Sequence, residues 1–360
     1  MTLVLSNEEI AQILTMELCI EALDAMYVEV GRGLALAGPR IDLVAGTQTL
    51  DGAAADYGLK AMGGVLPSNG VSAVRLNSDI ITWPERAGFI RREKTPAANG
   101  RWVGLVLLFS TRTGEPLMIA PDGFMQRTRV AGASALGARY LARSDARTLC
   151  LLGSGWQAEG QVEAFCAVRP IESVRVYSPD PEHRAAFARR MADKLGKRII
   201  AADSAEAAAD GADIVAAATN SLDPVLQPEW IRPGVHLCSI TVNEVHPDVV
   251  DEVDRVAFHT KEFTKEQTFR PAAAAPVVQQ RPGWWTPPDA AFRSRLSDLS
   301  EIASGHATGR QRSDEATLFV NNIGMGLQFA AVGSRVYEEA RARGLGHELP
   351  TDWFTQTVRP

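Results

Sequence analysis

The sequence has few of the features that would define its class at once. Its four cysteines form no C-x-x-C pair, which argues against a cysteine zinc site and suits a reducing compartment. No apolar run approaches the length of about 18 residues that a membrane span needs, and no basic stretch precedes the apolar residues of the N-terminus. We therefore expect a cytoplasmic protein with neither a membrane span nor a secretory signal.

Neither sign of charge dominates the chain, which has 37 Lys and Arg residues against 43 Asp and Glu residues. The basic residues are scattered, whereas a nucleic acid would need a concentrated basic surface. We expect a small-molecule partner and no nucleic acid. The length of 360 residues exceeds the size at which one core usually stops growing, so two domains are predicted.

The apolar pattern changes along the chain. Ser6, followed by Glu9 three positions later, has the spacing of a capping box and predicts the start of a helix. Between about residues 40 and 120, short β-like runs separated by Gly, Pro and Asn favour a mostly antiparallel sheet. The Ala-rich stretch "MQRTRVAGASALGARYLARSD" that follows predicts a helix.

After Thr148, apolar runs such as "LCLLG", "SVRVYS" and "DIVAAATN" alternate with helical segments. Apolar strands separated by helices are typical of βαβ units on a parallel sheet with both faces covered. The pattern predicts a Rossmann-like domain. The Pro- and Trp-rich segment 271–292 cannot be regular helix or a central strand, and it is expected to form a lid or an interface.

A dinucleotide fingerprint, G-x-G-x-x-A, follows the first of these strands directly and opens a helix. The first glycine of such a pattern permits a tight turn, the second lets a pyrophosphate approach the backbone, and the small third residue lets helix and strand pack closely. The residues assigned to the cofactor here are Gly153, Ser154, Gly155, Trp156, Gln157 and Ala158. Thr219 and Asn220, at the end of a later strand, are assigned to it too.

The end of the second strand bears on the choice between NAD and NADP. Many NAD enzymes place an acid there for the ribose 2′-hydroxyl, but Ser178 takes that place, with His183 and Arg184 close behind. A hydroxyl leaves room for a 2′-phosphate, and a guanidinium can pair with it. We expect NADP. The alternative is that Asp180 serves as the acid and the cofactor is NAD.

Three stretches together resemble the ornithine cyclodeaminase/mu-crystallin family: "TGEPLMIAPDG", then "RTRVAGASALGARYLARSDARTLCLLGSGWQAEGQVEAF", then "EIASGHATGRQRSDEATLF". The resemblance implies an α/β fold in which a Rossmann-like dinucleotide-binding domain, 148–299, is inserted in an α+β substrate-binding and dimerisation domain, 1–147 plus 300–360. It also implies a homodimer that uses NAD(P)(H). Known members are cyclodeaminases, alanine dehydrogenases and reductases of ketimines or imino acids.

The resemblance also assigns residues to the substrate. Arg40 and Arg129 match arginines that contact a substrate carboxylate in the family. Arg75 stands where the family has an active-site lysine, and it can hold an anion but cannot exchange protons. Lys60, on a predicted strand beside glycines, is a further catalytic candidate. Asp122, which matches a family aspartate, is expected to form a turn or a helix cap.

Asn243 stands where family members have an aspartate beside the nicotinamide. Because an amide cannot act as a base, Glu244 or His246 is the candidate to replace that aspartate. A Glu-x-His metal pair lacks a third ligand at a recognisable spacing, so no metal is expected.

These residues favour an NAD(P)H-dependent oxidoreductase that acts on the C=N or CH–NH bond of a carboxylate-bearing imine or amino acid, because hydride transfer to a protonated imine needs little from the protein besides binding. One alternative is an ammonia-lyase of the ornithine cyclodeaminase type with bound NAD. That reaction needs several proton transfers. A second alternative is a non-catalytic binder of a nucleotide or small ligand.

Overall fold

The computed structural model describes residues 1–86, 89–97, 100–261, 266–271 and 296–358. The chain forms two compact units, the first from Met1–Arg129, Glu262–Gln280 and Gly324–Pro360 and the second from Val130–Lys261 and Arg281–Ile323. The second unit is thus inserted in the first along the sequence. Residues 272–295, which include most of the Pro- and Trp-rich segment, lie outside the described residues.

The described helices are α1 (Asn7–Ile13), α2 (Met16–Gly31), α3 (Gly123–Leu141), α4 (Trp156–Val168), α5 (Pro181–Leu195), α6 (Ala205–Ala209), α7 (Pro247–Glu252), α8 (Leu299–Ala303) and α9 (Gly326–Arg343). The described strands are β1 (Thr2–Val4), β2 (Leu36–Ala37), β3 (Arg40–Gln48), β4 (Ala54–Leu66), β5 (Val71–Thr82), β6 (Glu85–Arg86), β7 (Phe89–Ile90), β8 (Glu93–Thr95), β9 (Val103–Ser110), β10 (Pro116–Pro121), β11 (Thr148–Leu152), β12 (Ser173–Tyr177), β13 (Arg198–Ala201), β14 (Ile214–Ala217), β15 (His236–Ser239), β16 (Arg255–Phe258), β17 (Glu266–Phe269), β18 (Leu296–Asp298), β19 (Thr317–Val320) and β20 (His347–Leu349).

The first unit is built on a sheet in the order β17-β3-β4-β5-β9-β10-β1-β20, with β2 and β8 pairing beside it. The central pairs from β3 to β10 are antiparallel, as the sequence predicts. The N-terminal helix is confirmed as well. Ser6 caps α1, and Glu9 closes the capping box by accepting from the backbone N–H of Ser6.

The two faces of this sheet differ in chemistry. Strand residues alternate between faces, and on β5 one face is buried from Val71 to Ile81 while the other is half-buried. The buried face, called here the inner face, carries charged side chains, including Lys60 on β4 and Arg75 on β5. Helix α9 packs on β4 and β5. A charged inner face is unusual and marks this surface as functional.

Helix α9 begins against the backbone of β4. A Cβ atom on Gly326 would lie 2.2 Å from the carbonyl carbon of Gly63, and one on Gly64 would lie 2.3 Å from the amide nitrogen of Leu327. Both glycines therefore let helix and strand backbones meet. This close approach fixes the start of the helix, and with it the position of the side chains in its first turn.

The second unit is built on an eight-stranded parallel sheet in the order β13-β12-β11-β14-β15-β19-β16-β18. The first five strands in this order follow the dinucleotide-binding arrangement, in which the strand order reverses beside the first strand. The fold class is therefore α/β with a Rossmann-like sheet, as predicted. Ligands of such sheets bind beyond the carboxyl ends of the strands at the reversal, here between β11 and β14.

The compact unit that holds the parallel sheet begins at Val130, inside α3. It also includes β19, which pairs with β15 and β16. The apolar run "TLFV" of β19 is fully buried, and its length suits an added strand of a sheet that is covered on both faces.

Two expectations from the composition can be compared with the fold. All four cysteines are free thiols. Among the described helices, none is both long and apolar enough to cross a membrane.

Candidate active site

The glycine turn, residues 153–158, joins β11 to α4. Gly153 has φ of 109°, and a Cβ atom there would lie 2.3 Å from the carbonyl oxygen of Ala218. Only glycine fits this position. Gly155 is the N-cap of α4 without a side-chain cap, and a Cβ atom on it would meet nothing within 4 Å. The turn therefore leaves open space beside a helix N-terminus, where a pyrophosphate binds in this kind of fold.

The remaining residues of the turn differ in exposure. The Trp156 side chain is exposed, Gln157 is half-buried, and Ala158 is fully buried, as close packing of helix and strand requires. Thr219 lies near Gly153, because the Cβ atom built on that glycine is 3.5 Å from its methyl carbon. Asn220 follows as an exposed residue.

Ser154, Ser178 and His183 meet at the end of β12. The Ser154 hydroxyl lies 2.8 Å from the Ser178 hydroxyl and 2.7 Å from Nδ1 of His183. Arg184 donates from Nη1 to the Ser178 carbonyl oxygen at 2.9 Å, and its guanidinium lies 5.5 Å from the centroid of the Tyr177 ring. The structure thus brings Ser154 of the glycine turn together with Ser178, His183 and Arg184, the three residues that the sequence places at the end of the second strand.

Asp180, the alternative ribose acid, has another role in this structure. It is the N-cap of α5, and its Oδ1 accepts from the backbone N–H of His183 at 2.9 Å. A capping aspartate is held by the helix terminus. At the end of β12, hydroxyl, imidazole and guanidinium groups of the described residues therefore lie together, and the nearby acid Asp180 is engaged as a helix cap.

Glu244 is fully buried, and its carboxylate is hydrogen-bonded to residues that follow β14 and to residues that follow β15. Its Oε1 accepts from the backbone N–H and hydroxyl of Thr219 at 2.6 and 2.8 Å, and its Oε2 accepts from the N–H groups of Ile240 and Thr241 at 2.9 and 3.2 Å. Burial raises its pKa to about 7 against these four donors. The bonding favours a positioning role, because a carboxylate so engaged is shielded from a substrate.

The other candidates beyond β15 are placed differently. Asn243 is half-buried on a short 3₁₀ turn, Val242–Glu244. His246 is the N-cap of α7, and its Nδ1 accepts from the N–H of Asp248. Within the described part of the chain, no group of three or more His, Cys, Asp or Glu side chains is arranged to hold a metal ion.

On the first unit's inner face, Arg129 has an unusual set of partners. Its side chain donates to the amide oxygen of Gln126 at 2.6 and 3.3 Å and to that of Gln328 at 2.9 Å. Among the described residues, no carboxylate lies within ion-pair distance of it. Burial and the nearby charge of Arg75 lower its pKa to about 9. Arg129 is therefore a buried cation in need of an anion.

Gln328 fixes the Arg129 guanidinium from the first turn of α9. Its amide nitrogen donates to the Tyr27 hydroxyl at 3.0 Å, which directs its amide oxygen toward Arg129. A Cβ atom on Gly324 would lie 2.7 Å from Nη1 of Arg129, so this glycine leaves the room that the guanidinium occupies.

Arg75 lies on the same side of α9 but is paired. It donates from Nε and Nη2 to Oδ2 of Asp122 at 2.8 and 2.5 Å. The guanidinium groups of Arg75 and Arg129 lie 5.7 and 5.2 Å from the centroid of the Phe329 ring, within cation–π range. Asp122 therefore does more than precede α3, since it is the counter-charge of Arg75.

Arg40 pairs with a carboxylate on its own strand. It donates from Nε and Nη2 to the two oxygens of Asp42 at 2.9 and 2.6 Å. Asp42 lies opposite Lys60, and Lys60 lies opposite Asn77, so these three residues form one cross-strand row of the inner face. Arg40 is thereby placed at the edge of a row that contains Lys60.

Lys60 belongs to a group with Asp79 and Lys94. Oδ2 of Asp79 lies 3.1 Å from Nζ of Lys60 and 2.9 Å from Nζ of Lys94. Lys94 also donates to Oδ1 of Asn77 at 3.1 Å. Burial, with the charge of Arg92, lowers the pKa of Lys60 to about 8. We call the eight side chains Arg40, Lys60, Arg75, Lys94, Arg129, Asp42, Asp79 and Asp122 the cationic cluster.

Sequence reasoning missed two members of this region, Lys94 and Gln328. Lys94 lies in "FIRREK", where nothing in the local pattern separates it from its basic neighbours. Gln328 carried a usable signal, because it is a single polar residue in the apolar helix start "GLQFAAVG". A fully buried amide in such a place needs a partner.

In the second unit the strand order of the parallel sheet reverses beside β11, where the glycine turn lies. Together with the buried cationic side chains of the first unit's sheet, this arrangement defines a dinucleotide-binding α/β protein. The sequence matches the model of the ornithine cyclodeaminase/mu-crystallin family over residues 91–344. The chain belongs to this family.

Three known proteins illustrate the similarity. The chain is 32% identical over 251 residues to Delta(1)-pyrroline-2-carboxylate reductase of Bacillus cereus, covering 68% of this chain and 74% of that one. It is 26% identical over 360 residues to iminosuccinate reductase of Paracoccus denitrificans, covering 96% and 99%. The structure of Thermococcus litoralis Delta(1)-pyrroline-2-carboxylate reductase with NADH and L-proline matches with a TM-score of 0.77 at 26% identity, covering 97% of this chain and 100% of that one.

The glycine turn yields a first prediction. Gly155→Asp adds a negative charge where a pyrophosphate would approach, in space that holds no protein atom within 4 Å of the new Cβ. We expect normal folding and dinucleotide binding weaker by at least about tenfold, because the charge repels the phosphates. Fluorescence titration with NADPH and NADH measures the affinity, and a thermal melt checks the fold. Gly155→Ala is the uncharged control, and unchanged affinity of Gly155→Asp would contradict the assignment.

Proposed function

We propose that this protein is an NAD(P)H-dependent oxidoreductase that reduces the C=N bond of a carboxylate-bearing imine, or oxidises the corresponding amino acid in reverse. The observation that carries the proposal is Arg129, a buried guanidinium bonded to amide oxygens alone among the described residues. The names of the relatives support it, since pyrroline-2-carboxylate and iminosuccinate are both carboxylate-bearing imines.

The residues of the glycine turn and of the β12 end fit a dinucleotide, which supplies a hydride from its nicotinamide when it is bound and reduced. The protein's own contribution is binding and orientation. Arg129 would bind the substrate carboxylate by two parallel hydrogen bonds. Arg75 would hold the other side of that carboxylate while Asp122 fixes its plane. Because arginine does not exchange protons, Arg129 and Arg75 hold the carboxylate without protonating the imine.

The clamp proposal gives a second prediction. Arg129→Ala removes the guanidinium that would bind the substrate carboxylate. We expect kcat/KM for imine reduction to fall, with a loss of transition-state stabilisation of about 2–4 kcal/mol, as follows when a buried charged contact is removed. Arg75→Lys keeps a cation beside Asp122 and should retain appreciable activity. The measurement is steady-state reduction with NADPH and with NADH of a panel of cyclic imines, and of 2-oxo acids with ammonia.

The same panel tests the function itself. Absence of turnover of every imine and oxo acid with both cofactors would contradict the reductase proposal and leave a binding protein. Ammonia release from ornithine with catalytic NAD and no added reductant would instead indicate a cyclodeaminase. We expect none, because Arg75 and Asn243 cannot make the proton transfers that this reaction requires.

We further propose that the cofactor is NADP. The support comes from the β12 end, where Ser178, His183 and Arg184 meet while Asp180 is engaged as a helix cap. Arg184 has one nitrogen on a backbone carbonyl and lies over the Tyr177 ring, which leaves its remaining N–H groups to a 2′-phosphate.

Arg184→Ala therefore provides a third prediction. We expect the binding free energy of NADPH to weaken by about 1–3 kcal/mol and that of NADH to change far less, because only NADPH carries the 2′-phosphate. Dissociation constants for both cofactors measure this. Arg189→Ala, a change of another arginine on α5, is the matched control. Equal losses for the two cofactors in Arg184→Ala would contradict the NADP assignment.

We also propose a homodimer formed through the face of the first unit's sheet that lies opposite the inner face, called here the outer face. Four apolar residues of this face, Leu43, Val103, Leu105 and Phe269, are each at least 40% exposed. One cross-strand row of this face runs from Phe269 through Leu43, Leu59 and Ser78 to Val103, and Leu105 lies two residues further along β9 on the same face. Patches of this kind mark interfaces, and a self-complementary patch forms a two-fold dimer with a second copy.

The dimer gives a fourth prediction. Leu105→Asp places a charge on this face, and we expect it to shift sedimentation from dimer toward monomer, because burial of an unpaired charge opposes association. Leu50→Asp, in the exposed turn between β3 and β4, is the control and should leave the dimer intact. A monomeric parent protein, or a Leu105→Asp variant that is fully dimeric, would contradict the proposal.

A further inference from the structure

Lys60 and Lys94, called here the lysine pair of the cationic cluster, contact the same carboxylate. Lys60 and Lys94 share one carboxylate, Asp79, whose side chain is 1% exposed. The Lys60 side chain is only 7% exposed. Among the described residues these two ammonium groups have this one carboxylate between them, so one positive charge lacks a carboxylate partner. Because Lys60 is buried and Lys94 is only partly exposed, an anion bound here would stabilise the pair.

The charges of the whole cluster lead to the same result. Arg40 is paired with Asp42, and Arg75 is paired with Asp122. The eight side chains comprise five cations and three carboxylates, so two positive charges are in excess. One belongs to Arg129 and the other to the lysine pair. Burial also lowers the pKa of both Lys60 and Lys94, and an anion between them would reverse this.

The position of the lysine pair relates it to the carboxylate clamp. Lys60 lies opposite Asn77, two residues beyond Arg75 on the same face of β5. The Lys60 ammonium contacts Asp79, four residues beyond Arg75 on the same face of β5, so along the strand the lysine pair lies between about 6.8 and about 14 Å from the backbone of Arg75. A dicarboxylate of about four or five carbon atoms, with a hydrogen bond of about 2.8 Å at each end, spans a separation of this order between Arg75 and the lysine pair.

We propose that Lys60, Lys94 and Asp79 form a second anion subsite, and that the substrate is an imine with two carboxylates, one beside the C=N bond and one at the far end. This inference rests on the proposed function and names its substrate class. A distal amine, as in a diamino acid, would face two ammonium groups and be repelled. Two carboxylates would neutralise both excess charges of the cluster.

The test compares substrates that differ in the distal carboxylate alone. Oxaloacetate and 2-oxoglutarate, each with ammonia, are set against pyruvate and 2-oxobutyrate with ammonia, and kcat/KM is measured for all four. We expect the parent protein to favour the dicarboxylic substrates by at least about tenfold. Lys60→Gln should lower the ratio of dicarboxylic to monocarboxylic kcat/KM by about 10- to 100-fold, the effect of losing one charged hydrogen bond.

Two further variants complete the design. Lys94→Gln should lower the same ratio. Because the Lys94 side chain is partly exposed, this variant is expected to fold, and it tests the subsite if Lys60→Gln does not fold. Lys194→Gln removes an exposed lysine paired with Glu163 on the second unit and should leave the ratio unchanged. A parent preference for the monocarboxylic substrates, or an unchanged ratio in both Lys60→Gln and Lys94→Gln, would overturn the subsite.

Equilibrium binding separates this inference from the proposed function. Calorimetric titration with succinate and glutarate, against butyrate, requires no turnover. Tighter binding of the diacids that is lost in Lys60→Gln supports the subsite even if no imine is reduced, in which case only the reductase proposal fails. Equal binding of diacids and butyrate by the parent protein refutes the subsite, whatever the reductase assays give.

Discussion

The burial of positive charge on one face of a sheet is the constraint on which the first unit depends. Arg75 and Lys60 occupy inward positions of β5 and β4, where an ordinary sheet would place aliphatic side chains. Their cost is offset locally by Asp122 and Asp79, each held within 3.1 Å of its partner. Removing either carboxylate would leave a buried cation, which destabilises by several kcal/mol. The carboxylates therefore belong to the fold as much as to the site.

In the second unit the corresponding constraint is the close approach of backbone to backbone at the sheet's reversal. Gly153 brings the end of β11 against the carbonyl of Ala218, and Glu244 then joins Thr219 to the residues beyond β15 through four hydrogen bonds. Three strand ends are thereby held at one edge with little freedom. A rigid edge of this kind costs a cofactor little reorganisation when it binds, which is how preorganised sites gain affinity.

Features set by short-range chemistry were predictable from the sequence, and features set by distant partners were not. The capping box of Ser6, the glycine turn at Gly153 and the parallel sheet follow from residue spacing, which has a direct structural cause. The pairing of Arg75 with Asp122 joins residues 47 positions apart, and the bond from Arg129 to Gln328 joins residues 199 apart. Local pattern does not identify the partner in such pairs, so Lys94 was missed and Asp122 was assigned only to a turn or a helix cap. The polar Gln328 stands out in its apolar helix start, but its partner Arg129 could not be inferred.

The excess of positive charge also bears on which chemistry the first unit favours. Arg75 and Asn243 do not exchange protons, and Arg75 holds a positive charge. Hydride transfer to an iminium delivers negative charge to the substrate carbon, and fixed cations around a bound anion stabilise that arrangement without moving a proton. Oxidative steps of a cyclodeaminase require a base to accept protons at the same place. The composition of the cluster therefore favours reduction, and it does so through electrostatics that are in place before any substrate binds.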